Sequence, residues 1–127
     1  MEKQGSFSGT WNYGKKRLNV NVPIIIFEED GSQIMYCPAL DVSGYGANEA
    51  EAKESFNLSL SEFFLYTINK NTFIDEMKRM GWTIRKSKYK PMLPPSLSTL
   101  LGSNENFSRI FNNFPFRKID ESISLPC

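Results

Sequence analysis

The chain has no histidine, which removes the side chain most often used as a general base and the commonest transition-metal ligand. Any catalysis would fall to carboxylates. Glu28, Glu29 and Asp30 sit together, Asp41 follows, and Glu49, Glu51 and Glu54 come close behind. A two-metal nuclease needs several such acids converging from neighbouring strands. Here the first three flank an Asp-Gly turn, where acids are ordinarily solvated, and Glu49 and Glu51 stand where a helix N-terminus favours negative charge. The pattern does not read as a catalytic centre, and no enzyme activity, metal or cofactor is expected. Cys37 and Cys127 lie far apart and read as free thiols of a reducing cytoplasm. Gly44 and Gly46 are not followed by Lys-Ser/Thr, so they make no phosphate loop and read as turn geometry ahead of a helix.

Charge is a stronger signal than catalytic chemistry. Net charge is +1, yet Glu28 to Glu62 holds eight acids against Lys53 alone, and Phe63 to Pro95 holds seven bases against Asp75 and Glu76. A segment of about −7 thus precedes one of about +5. Solvated faces account for much of this. The sharper reading is a surface for a charged partner, with Glu28, Glu29, Asp30, Asp41 and Glu54 as contact candidates. A rival reading places nucleic acid on Arg85, Lys86, Lys88 and Lys90, with Tyr36, Tyr45, Trp82 and Tyr89 available to stack on bases. Alternating bases on a strand also protect sheet edges.

The elements that must position these groups centre on Ile34 to Asn69. Asn48 caps a helix, Glu51 three residues on completes a reciprocal cap with it, and Ala52, Phe56, Leu60, Phe63, Phe64, Thr67 and Ile68 recur at helical spacing. Leu58 and Leu65 lie off that stripe and mark a second covered face, either a dimer contact or a seat for the C-terminal segment. Before the helix, Leu18 to Glu28 reads as a strand, with Pro23 at a bulge or an unpaired edge position. Glu29-Asp30-Gly31-Ser32 is a hairpin turn, Gln33 to Ala39 a second strand, and a short third strand lies near Ser43. A second helix is predicted over Asn71 to Met80, with Thr72 as cap and Gly81 as stop. Trp82 to Lys90 is predicted as the fourth strand of the sheet. Beyond Pro95, helical turns at Leu97–Leu101 and Asn106–Asn113 precede a strand through Ile119, Ile123 and Leu125. The first twenty residues lack the apolar core of a secretory signal, and no run has the length of a membrane span.

The block VPIIIFEEDGSQIMYCPALDVSGYGANEAEAKESFNLSLSEFF resembles the N-terminal domain of the HicB antitoxin family. It shares the hairpin around an acidic-Gly turn, the corner Tyr36, Pro38, Leu40, the Gly46 before the helix, and the Glu51-Ala52 start. The resemblance covers about Leu18 to Lys90. It implies an α+β fold, β-β-β-α-α-β, with a small mainly antiparallel sheet and one long helix on a face, similar to a degraded ribonuclease H-like fold without its catalytic carboxylates. It also implies an antitoxin-like protein-binding module whose partner is a small basic toxin ribonuclease, HicA-like. Repressors of that family carry a C-terminal helix-turn-helix or ribbon-helix-helix module, and Ser96 to Cys127 is too short for a complete one. The expected organisation is a flexible arm at 1–17, the HicB-like domain at 18–95 and a C-terminal extension at 96–127, in a cytoplasmic homodimer or higher homo-oligomer with no membrane contact.

Overall fold

A computed structural model describes residues 17–85 and 92–126. Strand β1 (Arg17–Glu29), β2 (Ser32–Cys37), β3 (Val42–Gly46) and β6 (Phe116–Pro126) form one antiparallel sheet in the order β3-β2-β1-β6. Helices α1 (Glu49–Asn69) and α2 (Phe73–Arg79) follow β3. A two-stranded ribbon, β4 (Thr83–Ile84) with β5 (Met92–Leu93), leads to α3 (Leu97–Ser103) and α4 (Glu105–Asn113). The fold is α+β with a small antiparallel sheet and helices, and none of the helices described is long and apolar enough to cross a membrane.

The fourth strand of the sheet is a correction to the sequence reading. Trp82 to Lys90 does not join the sheet: its described part contributes only Thr83–Ile84, paired with β5, and residues 86–90 lie outside the described residues. The strand beside β1 is instead Phe116–Pro126, taken from the segment read as an extension, in continuous register from Arg17↔Pro126 to Phe27↔Phe116. Trp82 has a different task. Its ring is buried and its Nε1 donates to the Ala39 carbonyl at 2.7 Å, which ties the end of α2 to the β2–β3 corner.

Alternation along the strands divides the sheet into two faces. Met35, Ile24, Ile26, Val22, Ile123 and Leu125 face α1, where Ala52, Phe56, Leu60, Phe64 and Ile68 are buried against them. Phe63, expected among these, is only partly buried. The other face carries Phe27, Ile25 and Tyr36 and is covered by the C-terminal helices: Phe114 lies 5.1 Å from Phe27 and Phe111 5.7 Å from Phe116 between ring centroids. The β1 residues before Ile25 pair with β6 alone. Pro23 therefore turns its missing N–H toward a side where β2 has already ended, the unpaired position that a strand proline needs.

Local chemistry sets the joints. Asp30 and Gly31 both have positive φ (53° and 81°), giving the two-residue turn whose twist suits a hairpin. Asn48 Oδ1 accepts from the Glu51 amide at 2.9 Å, while Glu51 Oε1 accepts from Ala47 rather than from Asn48, one residue earlier than a reciprocal cap predicts. Helix α1 ends with Asn71 at φ 59°, its N–H bonding the Ile68 carbonyl and that of Thr72 bonding Thr67. Helix α2 ends the same way at Gly81, φ 99°. Both are left-handed C-terminal caps that satisfy otherwise orphaned carbonyls. Thr72 makes no side-chain cap bond at the start of α2. Gly44 and Gly46 serve close packing, because a Cβ on Gly44 would stand 2.0 Å from the Phe56 nitrogen and one on Gly46 2.4 Å from Glu51 Cβ. The helix backbone lies directly on β3.

Candidate functional site

The sheet separates the acidic candidates instead of gathering them. Glu28 and Glu29 end β1 and Asp30 sits in the following turn. Gln33↔Gly46 pairing brings the end of β3 to the same edge, so Glu49 and Glu51 at the start of α1 join them there. Asp41 lies in the β2–β3 corner, at the far end of the six-residue strand β2, roughly 20 Å away at 3.4 Å per residue. Glu54 is exposed on α1.

The hairpin end is a half-compensated acidic surface. Arg109 on α4 approaches Glu29 at 3.5 Å, and Arg117 at the start of β6 pairs with Glu49. All four side chains are roughly a third to a half exposed, so these contacts contribute little stability. Their effect is on the field: among the described residues, two of the five carboxylates are paired with a base, while Glu28, Asp30 and Glu51 are exposed and face no base. Sequence reading missed these arginines because both come from the C-terminal segment, about eighty residues or more beyond the hairpin.

The Asp41 end is a built polar cluster. Cys37-Pro38-Ala39-Leu40 forms a tight turn closed by Leu40 N–H to the Cys37 carbonyl, with Pro38 at the position whose φ a proline pre-sets. Asp41 follows at φ 54°, a left-handed conformation that Asp tolerates. Its Oδ1 accepts from the Tyr36 hydroxyl at 2.6 Å and from Asn106 Nδ2 at 3.3 Å. Asn104 Nδ2 donates to the Tyr36 hydroxyl oxygen (2.9 Å) and to the Pro38 carbonyl (3.2 Å), while its Oδ1 caps α4 through the Phe107 amide. Burial, then the hydrogen bond given to Asp41, pushes the Tyr36 phenol well above its ordinary range. Burial likewise pushes the Cys37 thiol up to about 12, which keeps it a protonated core side chain and a poor nucleophile.

Two clefts meet at Asp41, of about 410 and 590 Å³, sharing Asp41, Arg79 and Met80 along their common wall. The first is otherwise lined by Asn104, Glu105 and Asn106, the second by Phe63, Tyr66 and Lys70. Arg79 is held by Glu76 at 2.7 Å. The result is an open groove of mixed donors and acceptors, in which Asp41 on the shared wall pairs with no base among the described residues. Among the described residues, no three Cys, Asp or Glu side chains come close enough to hold a metal ion. On the rival basic strand, Arg85 is exposed, and Lys86, Lys88 and Lys90 lie outside the described residues. Asn104 and Asn106 were not singled out from sequence. The available signal was Asn104 three residues before Phe107, a helix-cap spacing.

No family model, curated protein or solved structure matches the chain.

Proposed function

We propose that the chain is a non-catalytic, antitoxin-like binding module of the cytoplasm, whose partner is a small basic protein of the HicA-like toxin ribonuclease class. The observation that carries this reading is the hairpin end, where Glu28, Glu29 and Asp30 stand beside Glu49 and Glu51 with, among the described residues, two arginines paired to them. A ribonuclease must be basic where it holds RNA, and an acidic patch of this kind competes for that surface. Complementary charge of this sort speeds encounter and fixes orientation more than it deepens affinity. The hairpin is also a rigid presentation device, since both turn residues are locked at positive φ and flanked by paired strands. Asp41 and Glu54 are then outside the primary contact.

The test is affinity capture from native cell extract at low and high salt, using the parent chain and a Glu28→Lys/Asp30→Asn variant. Asn is chosen because it keeps the left-handed turn. Salt-sensitive recovery of a small basic protein by the parent, weakened in the variant, supports the reading. Recovery of nucleic acid alone, removed by nuclease, overturns it in favour of a nucleic-acid-binding regulator using Arg85 to Lys90.

A further inference from the structure

The sheet has two edges, and they are treated differently. β3 is five residues long, and its outward Tyr45 N–H is bonded by Ser55 Oγ at 3.1 Å. β6 is eleven residues long, and among the described residues no strand or side chain bonds its outer side. A free edge of that length is a template for another strand.

The side chains on it say which strand. From Arg117 to Glu121 the order is Arg, Lys, Ile, Asp, Glu, two positive charges and two negative ones about a central apolar residue. Laid antiparallel on itself about Ile119, this segment places Arg117 opposite Glu121 of a second copy and Lys118 opposite its Asp120. Ile119 meets Ile119. An edge guarded against its own copies carries one sign of charge or a proline near its middle; this one is complementary to itself.

The hydrogen-bonding phase agrees. The two-residue hairpin makes Glu29↔Ser32 a bonded pair, so Phe27 and Ile25 also point their backbone groups to β2, and Ile26 and Ile24 point theirs to β6. Their partners Arg117 and Ile119 are thereby used up, which leaves Phe116, Lys118, Asp120 and Ser122 with backbone N–H and C=O directed outward. A two-fold axis at Ile119 makes Lys118 and Asp120 of the two copies exchange both bonds, and Phe116 and Ser122 likewise. Arg117, Lys118 and Asp120 are exposed in the single chain. Within one copy Lys118 pairs with Asp120 at 3.3 Å on one face of the strand, and Arg117 on the other face pairs with Glu49, so dimerisation exchanges contacts within a copy for contacts between copies.

We propose that β6 is a self-pairing edge through which two copies of this chain join antiparallel about Ile119 into one continuous eight-stranded sheet. The homo-oligomer expected from sequence thereby acquires a specific surface, at the side of the sheet away from β3, which shares Arg117 with the hairpin end.

The experiment is sedimentation velocity of the full chain at tens of micromolar, for the parent, for Arg117→Glu/Lys118→Glu, for Asp120→Lys/Glu121→Lys, and for the two variants mixed. Each double variant turns four cross-copy attractions into repulsions and should raise the dimer dissociation constant roughly a hundredfold. The mixture should regain the mass of a dimer, because each edge then complements the other. Circular dichroism establishes that each variant is folded. Should either be unfolded, the neutral pair Lys118→Gln/Asp120→Asn takes its place, with about a tenfold loss expected. A parent of single-chain mass, a dimer that the variants leave intact, or folded variants that stay monomeric when mixed would each overturn the proposal.

Discussion

Replacing Gly44 by Ala adds one methyl group at the closest approach of helix to sheet. Its ideal Cβ would lie 2.0 Å from the Phe56 nitrogen, 2.5 Å from Phe56 Cα and 2.6 Å from the Ser55 carbonyl carbon, all backbone atoms of α1. Ordinary contact begins near 3.5 Å, so the middle of α1 has to retreat by about 1–1.5 Å. That retreat lifts Phe56 and Ala52 out of their packing and draws Ser55 Oγ away from the Tyr45 amide, now 3.1 Å distant. Overpacking of a tight core costs about 1–3 kcal/mol and a lost hydrogen bond about 1 more, so the variant should lose about 3 kcal/mol. Urea unfolding followed by circular dichroism measures this directly, with an unchanged m-value showing that the unfolded state is not the cause. Gly102→Ala is the matched control: a Cβ there meets nothing within 4 Å and lies inside α3, where alanine is favoured over glycine by up to about 1 kcal/mol. The same substitution should therefore be harmful at position 44 and neutral or stabilising at 102. A Gly44→Ala protein within about 0.5 kcal/mol of the parent would refute the helix placement.

Phe56→Ala, at a position 3% exposed, should cost about 3–5 kcal/mol, whereas Phe63→Ala, only partly buried, should cost less than about 2 by the same denaturation assay. Tyr36→Phe removes the donor to Asp41 and the acceptor for Asn104 and should destabilise by about 1–3 kcal/mol, with the Asn104→Ala change largely non-additive in a double-mutant cycle. The Cys37 thiol is raised from 9.0 to about 12 in the fold, so the unfolded chain releases that proton first as pH rises. Its contribution is complete below pH 9 and is lost toward pH 12, at up to about 1.4 kcal/mol per pH unit. Between pH 9 and 10, before Tyr36 begins to add a slope of the same sign, Cys37→Ala should flatten the decline of unfolding free energy measured in urea.

Features fixed by neighbours in sequence were legible; those fixed by distant packing were not. Asp30-Gly31 and the Asn48 cap with its three- and four-residue apolar spacing gave the hairpin and the long helix to within a residue. The spacing around Thr72 starts the second helix at Asn71, yet the left-handed φ of Asn71 (59°) makes it the cap of the first. Alternation marked both Trp82 to Lys90 and Ile119 to Leu125 as strands, and nothing local says which one pairs with β1. That choice depends on complementarity across about a hundred residues: on α1's side of the sheet Leu18 meets Leu125, Val20 meets Ile123 and Ile24 meets Ile119. Gly44 and Gly46 read as turn residues because the clash that forbids a side chain there is with a helix backbone, which no local pattern encodes. The acidic run was visible in sequence. Its division between two ends of the sheet, and the arrival of Arg109 and Arg117 beside one of them, depends on the course of the chain. Leu58 and Leu65 are exposed (63% and 42%), so the C-terminal helices seat on the opposite face of the sheet and not on them.

The proposed role is inhibition of a small basic ribonuclease through the acidic hairpin end. The most direct measurement takes the basic protein captured from native extract, assays its cleavage of RNA, and titrates in the parent chain and the Glu28→Lys/Asp30→Asn variant. The account predicts that cleavage falls to nothing near one equivalent of the parent and that the variant needs at least tenfold more. A captured protein whose RNA cleavage is untouched by the chain, or inhibited equally by parent and variant, would contradict it.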